Sequence, residues 1–169
     1  SYTIKELASY SFLLEHFYIV DETTSMTKQD LNGTKLVTMD LSAKLGKEEP
    51  LVLIYHTHGS ETYKKVNGKE GSVIEVGTAL TKELENVYGI KTVHDKSVYD
   101  MVDGQLDRNA AYNFAGDSVE AALRKNPSVK VVIDLHRDSV ENNIHLRTKI
   151  NGKSAAQIMF FNGVSRLAS

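Results

Sequence analysis

The chain has 169 residues, of which 41% are hydrophobic and only two are proline, so it can bury a core and is not a disordered segment. A formal charge of -2, with Lys and Arg scattered among the acids, leaves no basic face for a polyanion and argues against nucleic acid as a partner. Cysteine is absent, which excludes a disulfide framework and a thiolate metal cage and leaves His, Asp and Glu to hold any metal.

In chain order, Ile4, Leu7, Phe12, Leu13, Leu14 and Phe17 recur at helical spacing and predict an amphipathic helix from Thr3 to about Tyr18. No apolar run of about 18 residues is available to span a bilayer, and Ser1 leads into a polar pattern without a signal-peptide core. If the protein is membrane-anchored, the anchor is therefore expected outside this chain. The stretch Asp21 to Glu49 is polar and reads as a connecting arm with short extended pieces, in which Asn32-Gly33-Thr34 is a turn dipeptide before a polar strand residue rather than a glycosylation site. Residues 1–50 are thus expected to be a helix and arm, and residues 51–169 the domain that carries the chemistry.

After Pro50, Leu51 to Tyr55 is a continuous apolar run of the kind found in a strand buried on both faces, and it leads directly into His56-Thr57-His58. Ser72 is an N-cap for a helix patterned by Val76, Ala79, Leu80, Leu84, Val87 and Tyr88, with Gly89 as its stop. Ile90 to Val93 predicts a short strand, Arg108 to Lys125 a second helix closing at Asn126-Pro127, and Val129 to Leu135 a further strand ending at His136. This alternation predicts an α/β sheet with right-handed crossovers, whose ligands sit beyond the carboxyl ends of the strands, where His58 and His136 both fall. Ile144 to Ile150 and Ala156 to Phe161, joined across Asn151 to Ser154, predict a hairpin added to that sheet.

His58 and Glu61 form a His-x-x-Glu pair on the loop leaving a buried strand, and His136 at the end of another strand is the natural third ligand of a catalytic zinc site with its fourth position open to water. The close pair rests on one loop, while the distant ligand ties metal affinity to the finished fold. Glu75 is a rival third ligand, although a first-turn helix acid needs no such role. His56 would share a strand face with His58 if the strand ran on, so spacing alone does not separate them, and His58 is favoured. Arg137 and Asp138 are the candidate catalytic residues: Asp138, or Asp134 before the histidine, can orient an imidazole, and Arg137 can hold a substrate carboxylate or an oxyanion. His94 is either a supporting neighbour or structural. Ser60 and Ser139 lie in no Gly-x-Ser-x-Gly elbow and read as loop polarity.

Leu53-Ile54-Tyr55-His56-Thr57-His58-Gly59-Ser60-Glu61-Thr62-Tyr63 and Val132-Ile133-Asp134-Leu135-His136-Arg137-Asp138-Ser139 resemble the two signature blocks of the stage II sporulation protein P family. Phe17 to Asp21, Val76-Gly77, Leu84-Glu85, Tyr88-Gly89-Ile90, Val93 to Lys96 and Ala156 to Phe161 extend the likeness over nearly the whole chain. The resemblance implies a three-layer α/β sandwich with a mixed, largely parallel sheet, similar to zinc N-acetylmuramoyl-L-alanine amidases and more distantly to zinc carboxypeptidases. It implies zinc as cofactor, cleavage between N-acetylmuramic acid and L-alanine, and endopeptidase cleavage of stem-peptide cross-links, in septal thinning and engulfment during sporulation. The implied partners are peptidoglycan and stage II sporulation proteins D and M, at an extracytoplasmic, membrane-anchored location.

Two departures accompany the likeness. Tyr112-Asn113-Phe114-Ala115-Gly116-Asp117-Ser118 lacks the Arg-Ser pair usual in relatives, which argues against that helix contacting substrate. The family also continues into a further strand and helix bearing an acid, whereas this chain has no acidic residue after Glu141, so a C-terminally truncated fragment of weak or no activity is expected. Other readings of the same residues are a peptidoglycan- or partner-binding module, and a carboxypeptidase with Arg137 as carboxylate clamp.

Overall fold

The computed structural model describes residues 1–20, 22, 24–43, 48–64, 68–138, 140, 144 and 146–161. Ser139, Glu141 and the tail 162–169 lie outside the described residues. In chain order the elements are α1 (Ile4–Leu7), α2 (Tyr10–Phe17), α3 (Gly33–Thr38), β1 (Val52–Tyr55), α4 (Val73–Asn86), β2 (Thr92–His94), β3 (Met101–Val102), β4 (Gln105–Leu106), α5 (Arg108–Lys125), β5 (Val131–Asp134), β6 (Arg147–Ile150) and β7 (Lys153–Ala156). They fall into two units, residues 44–145 and residues 1–43 with 146–169.

The unit 44–145 is mixed α/β around a small parallel sheet of order β2-β1-β5. Val52, Leu53 and Ile54 are buried because β1 is the central strand, paired to Thr92–His94 on one side and to Val131–Asp134 on the other. The chain leaves β1 for β2 through α4 and then returns across β1 to β5, so the connections reverse direction at the carboxyl end of β1. That reversal opens the crevice in which open α/β sheets hold ligands. β5 is less covered than β1: Val131 and Val132 are exposed, because β5 is an edge strand among the described residues.

Helix α4 begins as its sequence requires, with Ser72 accepting from the Glu75 backbone N–H and Glu75 reaching back to the Ser72 N–H at 2.9 Å. Helix α5 follows the predicted span, capped by Asp107, which accepts from the Asn109 and Ala110 N–H groups. A small hairpin, β3–β4, went unpredicted although its Asp103-Gly104 turn, with φ of 50° and 78°, is a recognisable hairpin signal.

In the unit formed by residues 1–43 and 146–169, the opening helix is broken. Thr3 caps α1 with Glu6 in a reciprocal box, and Ser9 then accepts from the Phe12 N–H and starts α2, so the chain caps twice where periodicity suggested one helix. Asn32 is not a turn residue before a strand: it is the N-cap of α3, accepting from the Lys35 N–H at 2.9 Å. The C-terminal hairpin forms, but around Asn151-Gly152, whose φ values of 50° and 77° make a two-residue turn. That turn pairs Arg147 with Ala156, so the second strand is Lys153–Ala156 rather than Ala156 to Phe161, and the pair makes a sheet of its own. Among the described residues, no helix is long and apolar enough to cross a membrane.

Candidate functional site

Among the described residues the loop leaving β1 is the most buried polar segment: His56, Thr57, His58 and Glu61 are all nearly inaccessible. Burying such groups is costly unless each finds a partner, and three neighbouring segments supply partners for His56, Thr57, Ser60 and Glu61. From the end of β5, Asp134 accepts the Thr57 backbone N–H at 2.9 Å and the Thr57 hydroxyl at 2.6 Å. From the loop after β5, the Arg137 backbone N–H donates to Glu61 Oε2 at 2.6 Å, and the Leu135 carbonyl accepts from His56 Nδ1 at 2.9 Å. From the loop between β2 and β3, Asp100 accepts the Ser60 N–H at 3.2 Å and the Ser60 hydroxyl.

These bonds bring together the three candidate ligands named from the sequence. His136 Nδ1 lies 3.8 Å from Glu61 Oε2, and the His58 and His136 rings meet edge to face with centroids 5.2 Å apart. His136 Nε2 is 2.9 Å from Asp134 Oδ2, and because a carboxylate only accepts, that nitrogen carries the proton. In the neutral ring the lone pair is then on Nδ1, the atom that faces Glu61. The Asp134 hydrogen bond raises the His136 imidazole above its ordinary value, against burial that would lower it. Burial pushes Asp134 upward, but hydrogen bonds from His136 and Thr57 outweigh it and hold the carboxyl below its usual range. Among the described residues, no group of three or more His, Asp or Glu side chains is drawn tightly enough to be a ready-made metal cage.

The remaining candidates separate clearly. His56 is fully buried and spends both ring nitrogens inside the fold, one on the Leu135 carbonyl and Nε2 on His94 Nε2 at 2.9 Å. Since His56 Nδ1 must donate to a carbonyl, its Nε2 accepts and His94 donates. Burial, followed by the charge of a neighbouring His56, holds His94 down to about 4, so this is a neutral pair. Helix α4 packs directly on it: a Cβ at Gly77 would lie 2.7 Å from His94 Nε2 and 2.8 Å from His56 Nε2, so only glycine fits without displacement. Glu75 serves the cap of α4 and lies 3.9 Å from Lys69 Nζ. The carboxylate bonded to His136 is Asp134, whereas Asp138 is exposed and its backbone oxygen accepts from Arg137 Nη1. Arg137 Nε is buried with no hydrogen-bond partner among the described residues.

Sequence reasoning missed three neighbours of the site. Asp100 approaches His58 Nδ1 at 3.8 Å, Arg108 Nη1 approaches Glu61 Oε1 at 3.5 Å, and the Tyr112 ring meets His58 edge to face at 5.3 Å. The last two place the first two turns of α5 beside Glu61 and His58, although the missing Arg-Ser pair argues only against substrate contact by that helix. The i, i+4 spacing of Arg108 and Tyr112 was a readable sign that they share a helix face. Asp100, on an irregular loop, gave no signal.

Fold and site together define an α/β protein with a histidine and carboxylate centre in the crevice at the carboxyl edge of a parallel sheet. The chain belongs to the stage II sporulation protein P (SpoIIP) family, whose model matches residues 5–166. It is 28% identical over 127 residues to the stage II sporulation protein P of Bacillus subtilis (strain 168), an alignment covering 69% of this chain and 31% of that protein. The chain therefore spans about a third of the length of the curated relative it matches. No solved structure matches it. Family membership indicates a role in sporulation.

Proposed function

We propose that the chain is the zinc-dependent catalytic region of a peptidoglycan hydrolase, an N-acetylmuramoyl-L-alanine amidase with endopeptidase capacity toward stem peptides. It acts outside the cytoplasm in septal thinning and engulfment, with stage II sporulation proteins D and M as partners. The observation that carries this reading is the meeting of His58, Glu61 and His136 at the carboxyl edge of the sheet, with His136 Nδ1 turned to Glu61 at 3.8 Å. Two imidazoles and one carboxylate are a donor set suited to zinc. Zinc, when bound, supplies a Lewis acid that polarises the scissile carbonyl and acidifies water.

The chain's own residues do the rest. Asp134 holds the His136 tautomer that leaves Nδ1 free, which is the usual supporting role of a carboxylate behind a metal-binding imidazole. Arg108 and the Arg137 N–H fix Glu61 from two sides, and the Arg137 guanidinium is the candidate holder of a substrate carboxylate or an oxyanion. On this reading the finer fold is the three-layer amidase-like sandwich, with the described sheet as its centre.

A second reading, a peptidoglycan- or partner-binding module, is favoured by the lack of a ready-made cage among the described residues. Elemental analysis and digestion of purified sacculi separate the two. The hydrolase reading expects about one zinc per chain and release of stem peptides, both lost in His58→Ala and His136→Ala variants that remain folded. A folded wild type that binds no zinc and leaves sacculi intact while still sedimenting with them would establish the binding module instead.

A further inference from the structure

Each of the two imidazoles has a carboxylate behind it, and for His136 that carboxylate is Asp134. For His58 the neighbour is Asp100, which is 0% exposed and sits in the loop between β2 and β3. Its two oxygens each accept one hydrogen bond from Ser60, from the backbone N–H and from the hydroxyl. An ionised carboxylate has about four acceptor positions, so a solvent-free one held by a single serine retains capacity that burial makes costly to leave unused. Asp100 Oδ2 lies 3.8 Å from His58 Nδ1, and that Nδ1 is buried without a hydrogen-bond partner among the described residues. An under-used acceptor and an unpaired nitrogen therefore face each other across a gap about an ångström longer than a charge-assisted hydrogen bond.

We propose that Asp100 is the positioning residue of His58: it takes the Nδ1–H, fixes the neutral ring in that tautomer, and leaves Nε2 as the nitrogen with a lone pair for a ligand. The site then has a repeated construction. Each imidazole is anchored through one nitrogen to a carboxylate from a different strand end or loop, Asp134 for His136 and Asp100 for His58. The same Asp100 also holds Ser60, so one buried group sets both the course of the loop between His58 and Glu61 and the rotation of the ring. The consequence for zinc affinity rests on the proposed function, whereas the tautomer assignment does not.

The test uses the whole chain with Asp100→Asn, and with Asp95→Asn as a control. Asp95 lies in the same loop, where it accepts from Tyr99 and Ser97 as well as from Ser118 of α5, and so reports generic loosening of that loop. Two quantities are read: the 15N shifts of the His58 ring in metal-free protein, and Zn2+ affinity against a competing chelator. The expected result is an Nδ1–H tautomer at His58 in wild type and Asp95→Asn, lost in Asp100→Asn, with zinc affinity reduced about 10–100-fold in Asp100→Asn alone. An unchanged tautomer in Asp100→Asn, or an equal loss of zinc affinity in both variants, would overturn the proposal. If wild type binds no zinc, the metal reading fails by itself, and the ring tautomer still decides the role of Asp100.

Discussion

The loop His56 to Glu61 and the hairpin Arg147 to Ala156 are both rich in polar side chains, yet they meet opposite fates. In the first, only Ser60 escapes full burial, whereas in the second only Ala155 is even partly covered. Composition does not explain the difference. The loop leaves the central strand of a parallel sheet and is enclosed by the loops after β2 and β5, which offer Asp100, Asp134 and the Leu135 carbonyl as partners. Among the described residues the hairpin pairs only with itself, through backbone bonds that any side chain permits. Polar residues are buried where the fold can satisfy them, and such places are where chemistry becomes possible.

Breaking the buried network should cost the most. Asp134→Ala removes the acceptor of the Thr57 N–H, the Thr57 hydroxyl and His136 together, and is expected to destabilise the chain by about 3 kcal/mol in urea unfolding, because buried donors are left unpaired. A loss below about 1 kcal/mol would mean that water replaces these bonds and that the loop is less enclosed than described.

A gentler probe is acid. His94 is held down to about 4 from an ordinary 6.5, first by burial and then by the charges of His56 and Lys96, with Asp95 opposing. The unfolded chain therefore takes up this proton first, so the contribution is whole above about 6.5 and drains away as pH falls toward 4. Urea midpoints measured across that window should fall with acidification in wild type, and less steeply in His94→Gln. Parallel slopes would show that His94 is not kept neutral by the fold.

The smallest effect belongs to the hairpin. Thr148→Ala, on an exposed strand of a two-stranded sheet, should change stability by no more than about 0.5 kcal/mol. A larger loss would show that the hairpin is covered in solution, and the contrast with the β1 loop would narrow.

Local signals carried much of this structure. Leu51 to Tyr55 announced a buried strand, Ser72 and Glu75 an N-terminus, and Asn126-Pro127 a stop, because each rests on chemistry within a few residues. Where two local signals competed, periodicity gave way to capping: Ser9 divided the opening helix, and Asn32 started a helix instead of a turn. The hairpin register was misplaced for a related reason, since the positive φ demanded by Asn151-Gly152 outranks the apolar run that follows.

The sequence by itself determined the family and the α/β class and singled out His58, Glu61 and His136 as candidates, because residue type and short spacing are linear properties of the chain. Only the tertiary structure decided that His56 is consumed by Leu135 and His94, that Asp134 rather than Asp138 supports His136, and that Asp100, Arg108 and Tyr112 border the site. Apart from the local Asp134–His136 pair, those roles depend on hydrogen bonds and contacts reaching across about 40 to 80 residues of chain, and such distances close only when the strands have chosen their order and register.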